Sequence, residues 1–105
     1  MKRLSKSDLK RLVAKATAGA HDEIEQLAEF FTILGNDLAY PFRAILLGAP
    51  AAVIDVEVAE RPDLVFVCLR GRERLRVRVM DLPRPSPVPE GWEWVEAYRY
   101  WADGS

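Results

Sequence analysis

The chain has 105 residues, half of them hydrophobic and 30% charged, an ordinary globular balance for one domain with a modest core. Its formal net charge of −1 is unevenly spread: residues 1–15 hold six Lys or Arg against Asp8 alone, a net +5, and the rest holds nine Arg against 15 acids, a net −6. An acidic body with a basic arm favours cations or basic partners over nucleic acid.

In chain order, the basic start has no apolar run behind it and is not read as a signal peptide. Ser5-Lys6-Ser7-Asp8 has capping-box spacing, and Leu9, Leu12, Val13 and Ala16 follow at helical intervals. This predicts a first helix over about residues 6–18, closed by Gly19, within a basic segment 1–19. A second helix is predicted from Asp22 to Leu34, with Ile24, Leu27, Ala28, Phe31 and Leu34 as its apolar stripe and Gly35 as its stop.

From Pro41 the period changes to two. The weakly polar run Ala44 to Ile54 is broken by Gly48 and Pro50 and is far shorter than the roughly 20 residues of a bilayer span, so no membrane is expected as a partner. Ile54, Val56 and Val58 are expected to face one way, with Asp55 and Glu57 facing the other. Leu64 to Leu69 reads as a buried strand holding an inert Cys68, whose solitude excludes an internal disulfide and suits the cytoplasm. Arg70-Gly71-Arg72-Glu73 reads as a turn, followed by Leu75, Val77 and Val79 alternating with Arg74, Arg76 and Arg78. The prolines at 83, 85, 87 and 89 mark an extended connector, and Trp94, Ala97, Tyr98 and Trp101 share the face of a docked terminal helix. The fold class is therefore α+β: two N-terminal helices, a small antiparallel barrel or curled sheet of the Src-homology kind, and a short C-terminal helix. An open sheet against the helices fits the same pattern.

Two constellations carry chemistry. Asp22, Glu25 and Glu29 share one helical ridge, and Asn36 with Asp37 adds oxygens just beyond it; a hard cation would relieve the repulsion, while a solvated acidic face is the bland alternative. The arginines from Arg70 to Arg78 put at least Arg74, Arg76 and Arg78 on one strand face. That face is either a track for a nucleic acid or an acidic protein partner, used together with the basic arm, or one side of cross-strand pairs with Asp55 and Glu57. One histidine, His21, and one cysteine cannot close a zinc site, and no catalytic constellation stands in the sequence, so an enzyme is not expected.

The helix HDEIEQLAEFFTILGNDL, the junction YPFRA, the strand ending in Cys68, Val79-Met80-Asp81-Leu82 and the tail VEAYRYW, in that order, resemble the small bacterial calcium-binding protein family of the cyanobacterial, non-EF-hand type. The resemblance covers most of residues 20–102 and implies a compact α+β domain over residues 20–105 that binds calcium through carboxylates without catalysis. Glu25, Glu29 and Asp37 are then the expected ligands, with Glu23 and Asn36 behind them. In that family a Glu-Asp pair often stands where this chain has Gly35-Asn36, so binding is expected to be weak, in a regulatory or buffering role.

Overall fold

The computed structural model describes residues 4–61 and 63–104. Its elements run α1 (Lys6–Ala16), α2 (Glu23–Asp37), β1 (Phe42–Leu46), β2 (Ala49–Val58), β3 (Leu64–Arg70), β4 (Glu73–Arg78) and α3 (Trp92–Ala102). The strands pair in sequence order, all antiparallel, so β1 and β4 are the two edges of an open sheet. The expected barrel or curled sheet does not form. A barrel hides the apolar side of a sheet by closing it on itself; here helices cover that side, and β1 never meets β4.

Helix α1 starts at the expected capping box: the Asp8 amide donates to Ser5 Oγ at 3.1 Å and the Ser5 amide to Asp8 Oδ2 at 3.1 Å. It packs mainly on α3. Helix α2 is capped by Asp22, whose Oδ1 accepts from the Glu25 amide at 2.8 Å. It runs on through Gly35 to Asp37, beyond the expected stop. The reason is its apolar stripe, which is Leu27, Phe30, Leu34 and Leu38 rather than the one read from the sequence; Ile24 is 69% exposed. Phe30 fits edge-on against Tyr98, centroids 5.6 Å apart, and that contact sets the rotation of the helix.

The covered face of the sheet is Phe42, Ala44 and Leu46 on β1, Ala51, Val53 and Val56 on β2, and Leu64, Phe66 and Cys68 on β3. The spacing on β2 changes from two to three because Ile54 is the extra residue of a β-bulge between Val53 and Asp55. Ile54 therefore does not join Val56 in the core, while Val58, on the same face as Val56 but at the end of the strand, is 48% exposed. On α3 the buried set is Trp92, Val95, Ala97 and Tyr98, with Trp94 and Trp101 only partly covered. The expected face is shifted because Trp92 packs edge-on against Phe42, centroids 6.0 Å apart, and because α1 covers another side of the helix. Among the described residues, no helix is long and apolar enough to cross a membrane.

One backbone contact locks the helical layer. Gly91, at φ +90°, stands so close to the end of α2 that a β-carbon there would lie 2.1 Å from the Asp37 carbonyl oxygen and 2.9 Å from Leu38 Cα. Gly35, in contrast, is a helical glycine with nothing within 4 Å of such a carbon. Gly91→Ala is expected to lose about 2–5 kcal/mol, from left-handed strain plus overlap with backbone. Gly35→Ala should gain roughly 0.5–1 kcal/mol by stiffening the helix. Urea titrations of the two variants check both signs.

Candidate functional site

The expected calcium ligands do not converge. Glu23, Glu25, Glu29, Asn36 and Asp37 are all exposed along the outer side of α2. At about 1.5 Å of rise per residue, Glu25 and Asp37 lie roughly 18 Å apart along the helix axis, against the 2.3–2.6 Å reach of a calcium ligand. The continuation of α2 through Gly35 places Asn36 and Asp37 in its last turn instead of in a chelating loop. Glu25 is also engaged at the other end, where its Oε1 accepts from the His21 amide at 2.8 Å. Among the described residues, no group of three or more His, Cys, Asp or Glu is placed to hold a metal ion. Calcium is thus withdrawn as function, cofactor and partner.

The arginine ladder divides between two faces. Arg74, Arg76 and Arg78 stand exposed on the uncovered face of the sheet, whereas Arg70 turns to the other side and donates to the Leu46 carbonyl. Arg76 pairs with Glu57 at 2.9 Å, from β4 to β2, over the intervening β3. Beneath that pair Val65 and Val67 are buried although no second layer covers this face. Arg78 pairs with Asp63 at 2.7 Å and with Asp81 at 3.7 Å. Asp55 takes no part: in the bulge its Oδ1 accepts from the Val56 amide at 2.8 Å. Two of the three arginines thus spend their charge inside the domain, through exposed pairs that contribute roughly 0–1 kcal/mol each. Lys2 and Arg3 of the basic arm lie outside the described residues.

Asp63 is a node that sequence reasoning passed over. Its Oδ1 accepts from the Tyr98 hydroxyl at 2.8 Å and from the Leu64 amide at 2.9 Å, while Oδ2 takes Arg78 Nε at 2.7 Å. It thereby ties the start of β3 to α3 and β4, at the end of a cleft of about 610 Å³ that Arg61 and Trp101 also line. Desolvation pushes its carboxyl up, but hydrogen bonds from Arg78 and Tyr98 outweigh it and hold the group below its ordinary 3.8. Burial drives the Tyr98 phenol well above its ordinary value. The only sequence signal was an acid directly ahead of an apolar strand, too common a pattern to single out.

The two edges of the sheet differ in chemistry. Strand β4 carries an arginine at every second position of its uncovered face. Strand β1 carries Arg43 and Ile45 there, and Ile45 is 52% exposed. The β1–β2 hairpin closes on a two-residue turn with φ +50° at Leu47 and +81° at Gly48, the signature of a type I′ turn. Leu47 is 99% exposed in a left-handed conformation that strains a leucine, whereas Asn, Asp or Gly would sit there readily. Because Leu46 and Ala49 form the closing pair, ladder alternation turns the N–H and C=O groups of Arg43 and Ile45 toward the free edge.

Comparison of the chain with protein-family models, with curated proteins and with solved structures finds no match.

Asp63→Asn is expected to cost about 1–3 kcal/mol, since it exchanges a charge-assisted node for a neutral one beside the hydroxyl of the buried Tyr98. The sign with pH follows from the lowered carboxyl. Its contribution is fully present above 3.8 and fades as pH falls through the depressed folded value. Thermal melts across the acidic range should show the native and variant proteins converging at low pH.

Proposed function

We propose that the domain is a non-enzymatic assembly module, with the free edge of β1 as its contact element and a second copy of the chain as its partner. The observation that carries this is the asymmetry of the two edges. In any antiparallel self-pairing of β4 that keeps its faces aligned, arginines at positions 74, 76 and 78 oppose one another. Charged edges of this kind keep sheets apart.

Strand β1 has the opposite character. Antiparallel pairing centred on Ala44 places Arg43 beside Ile45 of the second copy and Phe42 beside Leu46, with no like charges facing. The outward N–H and C=O groups of Arg43 and Ile45 then bond across the new seam, joining two four-stranded sheets into one. Leu47 at each hairpin tip extends the apolar contact. With a five-residue edge, the interface belongs to the small class below roughly 1,200 Å² and is weak and concentration-dependent. A cytoplasmic setting accords with the single buried thiol of Cys68.

Sedimentation equilibrium over a wide concentration range tests the proposal. The expected result is a reversible monomer–dimer equilibrium that Ile45→Lys abolishes with little change in the thermal midpoint. That substitution sets an ammonium opposite Arg43 of the second copy while leaving the core untouched. A native protein that stays monomeric into the millimolar range would overturn the proposal, as would a dimer that survives Ile45→Lys.

A further inference from the structure

A second site, unrelated to the sheet edge, lies where α1 packs on α3. The cleft there has a volume of about 410 Å³, within the range of small-molecule sites. Leu9, Met80 and Trp92 give it an apolar lining. Two hydrogen-bond donors among its lining residues have capacity without an acceptor.

The first is Trp92, 2% exposed, whose indole N–H has no hydrogen-bond partner. A buried donor left unmade costs roughly 1–3 kcal/mol, so an acceptor belongs there. The second is Arg99. Its guanidinium lies 5.4 Å from the centroid of the Trp92 ring, donates from Nε to the Val79 carbonyl at 2.9 Å, and donates from a terminal nitrogen to the Leu82 carbonyl. It is half-buried, and among the described residues no carboxylate lies within ion-pair distance of it. Two neutral carbonyls fix this cation in place, and Glu96 and Asp81 act on its charge only through space, from beyond ion-pair distance. Burial lowers its pKa, and the carboxylates of Glu96 and Asp81 offset this only in part.

We propose that this cleft binds a small monocarboxylate with an apolar body, its carboxylate on Arg99 and the Trp92 indole N–H and its body against Leu9 and Met80. Glu96, Asp103 and Arg84 also line the cleft, and the two acids disfavour a phosphate dianion relative to a single negative charge. Tyr100 also lines the cleft.

The test is a hexanoate titration of ¹⁵N-labelled protein, following the three tryptophan indole signals with Trp92 assigned through Trp92→Phe. The expected result is a saturable shift of the Trp92 signal with hexanoate, no such shift with hexanol, and a weaker response to inorganic phosphate. Arg99→Gln should weaken hexanoate binding about tenfold or more. Because Arg99 also clamps two carbonyls, Leu9→Trp serves as the second variant: it fills the cleft from α1, touches neither donor, and should abolish the shift. Absence of a saturable shift at tens of millimolar overturns the proposal. Equal responses to hexanol or to phosphate, or undiminished binding by Leu9→Trp, overturn it as well.

Discussion

An open antiparallel sheet of four strands leaves one apolar face to be hidden, and in this protein the hiding layer depends on how closely two helix ends can approach. Gly91, just ahead of α3, lies against the Asp37 carbonyl at the end of α2 with no room for a β-carbon. The Ala39 amide donates to the Glu90 carbonyl at 2.9 Å beside it, so the two turns are joined by a main-chain bond as well as by contact. With their ends pinned, α2 and α3 lie across the sheet together. Phe30 then meets Tyr98 and Trp101, while Trp92 meets Phe42. The aromatics form two clusters of edge-on and tilted contacts: Phe30, Tyr98 and Trp101 between the helices, and Trp92, Phe42, Phe66 and Tyr40 from α3 into β1 and β3, with Phe42 and Phe66 5.8 Å apart.

The other face of the sheet is managed by charge. Arg76 and Glu57 reach over β3 and shelter valines that no helix covers, and Arg78 is drawn to Asp63 at the end of the strand. This is why a row of arginines does not amount to a free cationic track: two of its three members, Arg76 and Arg78, have their heads on an acid. The same arginines make β4 a poor template for a further strand, and that leaves β1 as the edge with apolar character. Helix packing and edge chemistry are therefore connected. The helices claim one face, the ion pairs close part of the other, and the hairpin tip with Ile45 and Leu47 stays outside both.

Alternation and capping were legible in the sequence where the signal is local. The Ser5–Asp8 box, the Gly71-Arg72 turn and the apolar run of β3 appear where their residues indicated. The candidate site was misread because its geometry depended on a helix end. Gly35 reads as a stop, and a stop there would have put Asn36 and Asp37 in a turn beside the acidic ridge. Leu38 overrode it, since burying that side chain one turn beyond Leu34 favours continuing the helix over the local preference of one glycine. Likewise the bulge at Ile54 is a one-residue slip in pairing, which a strict two-residue period cannot reveal.

The sequence by itself therefore determined the order and type of the elements and the basic and acidic segments, because these depend on neighbours within a turn or two. Tertiary structure alone decided that the sheet stays open, that the acids of α2 stay apart, that Asp63 rather than Asp55 receives Arg78, and that Arg99 is half-buried beside Trp92 and held by two main-chain carbonyls. Each of these is set by which distant side chain occupies the adjoining space. That is a property of packing between elements, and no spacing along the chain encodes it.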